Sequence, residues 1–237
     1  MREVLSEAGS TNAILLERAG RGERAREGDW LIADRQTAGR GRAGRVWSDG
    51  AGNFMGSTIA KLAEGDPPAQ TLALVAGVAV HQAVDRVCTS GPDLFLKWPN
   101  DILIAGAKCG GILLERSGDT VVVGIGVNLV FAPEIAGRAT ASLSDHGCTA
   151  SRDEFAAILE TCWAEALARW HGGGWAELRQ DWLERAHVQG TLLSVNDREH
   201  GLITGAFAGL GDDGTLHLRL ADGARRAIHA GDVEMVS

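Results

Sequence analysis

The sequence predicts an α+β protein of two unequal parts: residues 1–187, in which helices and strands are mixed, and a smaller all-β part, 188–237. Three observations carry this reading. Within 71–87, Leu72, Val75, Ala79, Ala83 and Val87 recur at three- and four-residue spacing with few charges, the pattern of a buried helix. Four strand-like runs come after it, 94–98, 102–104, 111–115 and 120–127, with Ala105-Gly106 and Ser117-Gly118-Asp119 as turns suited to antiparallel neighbours. From Val188 the texture changes to short strands separated by tight turns.

Taken in order, Ser10-Thr11-Asn12 stands before an apolar-periodic stretch, 13–19, closed by Gly20, which reads as a short capped helix. Residues 28–34 form a short apolar strand running into a basic, glycine-rich loop, 36–47, and 53–60 read as another strand. Ser151-Arg152-Asp153-Glu154 matches a capping box and opens a long helix to about Trp170. Gly172-Gly173-Gly174 breaks it, and 175–186 make a second helix. Trp163, Trp170, Trp175 and Trp182 are expected to anchor the packing of these helices rather than to stack on a ligand. In the last part, 191–195, 201–210, 215–220 and 224–229 are strands, with turns at Asp212-Asp213-Gly214 and Ala221-Asp222-Gly223. About fifty residues of this kind suggest a small barrel of the SH3 type.

Composition narrows the function classes. With 45% hydrophobic and 23% charged residues the chain has material for a sizeable core. Its net charge of −8 disfavours non-specific nucleic-acid binding, which needs a basic face. The start lacks an apolar signal region, and the longest apolar run, 72–80, is too short to cross a bilayer. Cys88, Cys109, Cys148 and Cys162 are widely spaced with no CxxC pair, so reduced thiols in a cytoplasmic protein are expected. The histidines are scattered without an HExxH, and no structural metal is expected.

The most specific segment is Gln36-Thr37-Ala38-Gly39-Arg40-Gly41-Arg42-Ala43-Gly44-Arg45-Val46-Trp47, where three arginines alternate with glycines in an acidic chain. Arginine is permanently charged and offers a planar fork of donors to carboxylate or phosphate. Glycine lets backbone N–H groups turn toward an anion with no Cβ in the way. Each charge-assisted hydrogen bond shielded from water contributes about 1.5–3 kcal/mol. Gly39, Gly41 and Gly44 also match GxGxxG, but that fingerprint needs a helix directly after it, and Val46 to Gly52 cannot start one. No Gly-Lys-Ser/Thr triplet of a Walker A loop is present, and the segment is single rather than a repeated arginine–glycine tract.

Three further constellations stand out. Lys97 lies in an apolar run and needs an anion or water at its tip, while Pro99-Asn100-Asp101 after it reads, by itself, as a turn. Lys108 precedes Cys109 and the glycines Gly110 and Gly111 at the opening of a strand, and by itself reads equally as a turn lysine. Gly124-Ile125-Gly126-Val127-Asn128 is an apolar strand interrupted by glycines, a mark of close approach by another group.

Taken together and in this order, Ser10-Thr11-Asn12, Gln36 to Trp47, Lys97-Trp98-Pro99-Asn100-Asp101, Lys108 with Gly111-Ile112-Leu113-Leu114-Glu115, and Gly124 to Asn128 resemble the biotin protein ligase family. Leu210 to Leu216 and Gly231-Asp232-Val233 resemble that family's small SH3-like domain, so the likeness spans nearly the whole chain. It implies a catalytic domain with a mixed sheet and flanking helices, akin to class II aminoacyl-tRNA synthetases. It further implies ATP and biotin as substrates, Mg2+, and a biotin carboxyl carrier protein domain of a carboxylase as acceptor. Biotin contacts carried over are Ser10, Thr11, Asn12, Gln36, Gly39, Arg40, Gly41, Arg42, Lys108 and Gly111; adenylate contacts are Arg42, Arg45, Trp47, Lys97, Asn100, Asp101 and Asn128. Among them Arg42 and Lys108 would bridge the biotin carboxylate and the α-phosphate, Arg40 would order the loop, and Asp101 would bind magnesium indirectly or assist the adenylate site.

Three positions depart from the family pattern: Ala43 where another basic residue is frequent, Cys109-Gly110 for a commoner Leu-Ala in the pocket floor, and Ser48-Asp49-Gly50-Ala51-Gly52 without Ser-Pro. With Ser10 so close to the first residue, the N-terminal DNA-binding domain of dual-function members is not expected. Neither DNA nor a membrane is therefore an expected partner, and homodimerisation, common in such enzymes, is left open. So is the role of the small domain, carrier docking or closure of the ATP site. The alternatives are a lipoate ligase, and a biotin-binding regulator without turnover.

Overall fold

The computed structural model describes all residues except 24, 25, 49, 90, 198–200 and 237. Two sheets dominate. The larger is built from β1 (Arg2–Leu5), β2 (Trp30–Ala33), β3 (Phe54–Lys61), β4 (Leu94–Lys97), β5 (Asp101–Ile104), β6 (Ala107–Ser117) and β7 (Thr120–Val127). Their order is β1-β2-β3-β7-β6-β5-β4; β1 and β2 run parallel and every other pair is antiparallel, so the sheet is mixed. The predicted antiparallel run through β4, β5, β6 and β7 is observed with the expected turns.

Alternation along the strands sorts side chains into two layers. Trp30 and Ile32, Phe54 and Ala60, and Val121 and Val123 enter one core together with α2 (Leu72–Val87), α3 (Arg152–His171) and α4 (Trp175–Glu184). Leu31, Ile59 and Val122 point the other way and pack against Leu15 of α1 (Thr11–Gly20). This is the period of two that a sheet covered on both faces requires. The capping of α1 by Ser10 and the capping box of Ser151 and Glu154 on α3 are both present. Trp163, Trp170, Trp175 and Trp182 are buried in the larger core.

The second sheet contains β8 (Leu192–Asp197), β9 (Gly201–Leu210), β10 (Leu216–Arg219), β11 (Arg225–Ile228) and β12 (Asp232–Met235), antiparallel in the order β11-β10-β9-β8-β12. Its β9–β10 turn docks on the β4–β5 hairpin, the start of α4 and the segment before α2. Trp98 Nε1 donates to Gly214 O at 3.0 Å, Trp175 Nε1 to Asp212 O at 2.6 Å, and Gln70 Nε2 to Asp213 O at 3.2 Å. His187 is wedged between Phe95 of β4 and Phe207 of β9.

One expectation is corrected. Cys88, at the C-terminal cap of α2, is disulfide-bonded to Cys148, 60 residues away in the loop leading into α3. No short spacing announces such a pair; the packing of α2 on α3 brings the two chain segments together. Cys109 and Cys162 are free and buried.

Candidate functional site

The α1-facing side of the large sheet carries the site, and strand register explains its shape. Across the sheet Lys97 pairs with Asp101, Asp101 with Gly111, and Gly111 with Gly126; in the next row Leu113 pairs with Gly124 and Gly124 with Ser57. Glycines at the centre of both rows leave a trough in the sheet surface. What fills it are side chains from elsewhere in the chain. A Cβ on Gly126 would collide with the Trp47 indole, one on Gly124 with the Asn12 amide, and one on Gly111 would lie 3.2 Å from both Trp47 and Lys108 Nζ. These are the close approaches the strand glycines predict.

Over this floor lies a cavity of about 650 Å3. Every predicted site residue except Gly39 lines it: Ser10, Thr11 and Asn12 at the start of α1, then Gln36, Arg40, Gly41, Arg42, Arg45 and Trp47 from the loop. Lys97, Asn100 and Asp101 come from the β4–β5 hairpin, with Lys108 and Gly111 on β6 and Asn128 after β7. Gly39 sits behind the wall, where a Cβ would come within 2.7 Å of the Trp47 carbonyl, so its part is to let the two arms of the loop close on each other. The loop is pinned by Gly41 N–H to Arg45 O at 2.7 Å and Trp47 N–H to Gly39 O at 3.0 Å. Ala43 holds a left-handed φ of 55° between them, a conformation that costs an L residue about 1–2 kcal/mol.

One end of the cavity is a buried polar network. Thr11 N–H donates to Gln36 Oε1 at 2.8 Å, Thr11 Oγ1 lies 2.6 Å from Ser57 Oγ, and Ser57 Oγ donates to Asn12 Oδ1 at 2.6 Å. Asn12 Nδ2 donates to Glu115 Oε2 at 2.9 Å, and Arg40 Nη1 reaches Glu115 Oε1 at 3.2 Å. Ser57 was missed by the sequence reading, being a lone hydroxyl inside an apolar strand; its phase with Ile59 is the signal that could have placed it on this face.

The other end is charged. Six cationic side chains (Arg40, Arg42, Arg45, Lys97, Lys108, Arg138) face four carboxylates along the cavity, a local positive excess in a chain of net charge −8. Lys108 Nζ donates to Asp101 Oδ1, with Arg138 Nη1 3.6 Å from Asp101 Oδ2. Burial pushes the Lys108 ammonium below its ordinary range, opposed by Asp101; burial also lowers Lys97, again opposed by the charge of Asp101. Arg42 Nη1 donates to Asn100 Oδ1 at 3.0 Å, while Asn100 Nδ2 donates to Ile112 O at 2.6 Å. Arg45 Nη2 donates to Asp232 Oδ1 of β12 at 2.6 Å. Burial alone would raise the Asp232 carboxyl, but the Arg45 hydrogen bond and the charges of Arg45, Arg42 and Arg138 hold it below its ordinary value.

Arg138, Asp232, Val233 and Glu234 line the cavity without having been singled out as site residues. The Cys109 side chain belongs to the core on the opposite face of the sheet and does not form the pocket floor. Of the Ser48–Gly52 segment, Asp49 lies outside the described residues. Among the described residues no three His, Cys, Asp or Glu side chains converge to hold a metal ion, and no helix is long and apolar enough to cross a membrane.

Comparison with known proteins gives the family. The profile of the Biotin/lipoate A/B protein ligase family matches residues 7–129, and that of the Biotin protein ligase C terminal domain matches 194–236. The biotin--[acetyl-CoA-carboxylase] ligase of Paracoccus denitrificans is 38% identical over 222 residues, covering 86% of this chain and 89% of that protein. The Mycobacterium tuberculosis enzyme of the same name is 35% identical over 237 residues, covering 98% and 87%. Among solved structures, a biotin protein ligase from Aquifex aeolicus in complex with biotin and ATP superposes with a TM-score of 0.86 at 27% identity, covering 99% of both chains. With a glycine-floored trough, a basic loop folded over it and relatives matching along nearly its full length, the chain belongs to the biotin/lipoate A/B protein ligase family.

Proposed function

We propose that the chain uses ATP to convert biotin to biotinyl-5′-adenylate and then transfers the biotin to a lysine of a carboxylase's biotin carboxyl carrier domain. The observation that carries this reading is the continuity of one cavity from the buried Thr11–Ser57–Asn12 network to the cationic cluster around Lys108. A neutral, hydrogen-bonding ring system suits the first end and a carboxylate meeting a polyphosphate suits the second. The biotin-specific names of the relatives favour biotin over lipoate.

In the first half-reaction a biotin carboxylate oxygen attacks the α-phosphorus and pyrophosphate leaves with the electron pair of the broken P–O bond. Both reactants are anions, so positioning and charge stabilisation are the main tasks. Arg42 and Lys108 are assigned to the meeting point of carboxylate and α-phosphate, with Asp101 keeping Lys108 charged and aimed. Arg40, tied through Glu115 to Asn12, orders the loop over bound biotin. In the second half-reaction a neutral lysine amine attacks the anhydride carbonyl and AMP leaves; the closed loop excludes water that would hydrolyse the anhydride. Magnesium fits as a companion of the nucleotide phosphates, since Mg2+ is commonly held by one or two carboxylates plus substrate phosphates and the cavity offers Asp101, Asp232 and Glu234.

The large sheet with its helices is read as a class II aminoacyl-tRNA synthetase-like catalytic domain, and the small sheet as an SH3-like barrel with the boundary near residue 187. Asp232, Val233 and Glu234 in the cavity wall favour closure of the ATP site as the small domain's role. The cytoplasm is the proposed compartment, and burial of both Cys88 and Cys148 shields their bond from exchange with thiols there. Biotin-dependent release of pyrophosphate from ATP tests the first half-reaction. Arg42→Ala is expected to lower it about 10²–10³-fold, as loss of a charge-stabilising donor does elsewhere; release near the unmodified rate would remove Arg42 from the mechanism.

A further inference from the structure

Ser57 sits wholly buried on β3, in one row of the sheet with Gly124 and Leu113, and no sequence motif assigns it a role. Its neighbours allow the protons of the network around it to be placed one by one. Asn12 Nδ2 lies 2.9 Å from Glu115 Oε2 and 3.5 Å from Leu113 O. A carboxylate and a carbonyl only accept, so the amide nitrogen must face them and Asn12 Oδ1 must face Ser57. An amide oxygen cannot donate either, which commits the Ser57 hydroxyl proton to Asn12 Oδ1 across 2.6 Å. With that proton spent, the 2.6 Å contact between Thr11 Oγ1 and Ser57 Oγ can be made only by the Thr11 proton.

Thr11 carries one hydroxyl proton and has two oxygens in reach. Gln36 Oε1 is 3.2 Å away and takes the Thr11 N–H at 2.8 Å. Without a proton between them, the Thr11 and Ser57 oxygens would meet lone pair to lone pair at 2.6 Å, so the shorter contact wins. The protons of the chain therefore run one way, from Thr11 through Ser57 to Asn12 and from Asn12 to Glu115. The Arg40 guanidinium, 3.2 Å from Glu115 Oε1, closes the chain at its far end. Thr11 lines the cavity, and its hydroxyl has only lone pairs left to offer there. At that point the wall accepts a hydrogen bond and cannot donate one.

We propose that Ser57 is a positioning residue that sets ligand specificity: by drawing the Thr11 proton into the wall it makes the Thr11 oxygen an obligate acceptor, which admits a ring N–H and rejects a ring oxygen or sulfur. The proposal rests on the ligase reading for naming the ligand as biotin, whose ring is a cyclic urea with two N–H donors. Ser57 acts through Thr11, and Glu115, through Asn12, fixes the direction of the chain from the other end. The dithiolane ring of lipoate has no N–H, so it would leave the Thr11 lone pairs buried and unpaired, at a cost in affinity.

The test compares wild type with Ser57→Ala and Ser57→Thr. Each is titrated calorimetrically, without ATP, with biotin and with its two cyclic carbamate analogues, in each of which one ring N–H is replaced by oxygen. In wild type, one of the analogues sets its oxygen against the Thr11 lone pairs and should bind about 100-fold more weakly than biotin. In S57A the Thr11 proton is free to turn into the cavity. Biotin should then lose about 10-fold while the rejected analogue holds or gains, so the preference for biotin narrows by about 10-fold or more. S57T keeps a hydroxyl in the chain and should restore the preference; thermal melting reports on the fold of both variants, and S57A decides alone if the added methyl group lowers the melting temperature. A loss shared equally by biotin and both analogues would overturn the proposal, since Ser57 would then only fill space. So would an unchanged preference in S57A, or a wild type that binds biotin no more tightly than either carbamate. Because binding is read without turnover, a wild type that prefers biotin yet releases no pyrophosphate sinks the ligase reading and leaves the Ser57 assignment standing.

Discussion

Lys108 shows how far single residues could be read. By itself the residue was as good a turn lysine as a catalytic one, and only its order among the other motifs singled it out. In the structure it is nearly enclosed, paired to Asp101, and lowered by its burial. Asp101 raises the Lys108 pKa, so Asp101→Asn should let the ammonium lose its proton at lower pH. The alkaline limb of kcat/KM for adenylate formation is then expected to move to lower pH, and an unmoved limb would separate the two residues functionally. Ser57 and Arg138 were not legible as site residues. One is a hydroxyl whose face is decided by strand phase, and the other lies in a segment with no periodic pattern, where only the parallel attachment to Lys108 gives it a place.

At the level of elements, periodicity, caps and turn signals placed α1, α2, α3 and α4 and ten of the strands within a few residues, because burial on one or both faces leaves a regular trace. β1 and β12 escaped. Arg2–Leu5 places two charged residues before two apolar ones and Asp232–Met235 alternates a charged with an apolar residue; both are short edge strands with no buried face of more than one residue, held by partners distant in sequence, Trp30–Ala33 and Leu192–Asp197. The glycine rows were legible as marks of close approach, but what approaches them was not. Gly124→Ala would press a methyl group into the Asn12 amide and displace the network that reaches Glu115. Overpacking of this kind costs about 1–3 kcal/mol, so biotin affinity should fall by roughly 10- to 100-fold. Calorimetric titration measures it, with circular dichroism confirming that the sheet is intact; unchanged affinity would remove the Asn12 network from the biotin site.

Across the whole molecule, the two sheets meet on either side of the cavity, through Arg45 and Asp232 at its rim and through His187 between Phe95 and Phe207 away from it. Neither contact follows from local sequence, and the Cys88–Cys148 bond is a third long-range feature of the same kind. His187 has no hydrogen-bond partner for either ring nitrogen, and burial, aided by the charge of Lys97, lowers its pKa to about 4. In the unfolded chain a histidine takes up its proton near pH 6.5. Between those values only the unfolded state binds the proton, so stability should fall as pH drops from about 6.5 to 4, by roughly 3 kcal/mol in all, and level off below. His187→Phe should abolish this part of the pH dependence in denaturant titrations; an unchanged profile would show that the junction tolerates a charged imidazole.

The central claim is transfer of biotin to a protein lysine, and the most direct measurement is an avidin blot under denaturing conditions. The purified chain would be incubated with ATP, Mg2+, biotin and a carboxylase carrier domain. A band that requires ATP and vanishes when the acceptor lysine is replaced is the predicted result. Absence of a band from a folded protein that binds biotin would contradict the account and leave a binding module without turnover in its place.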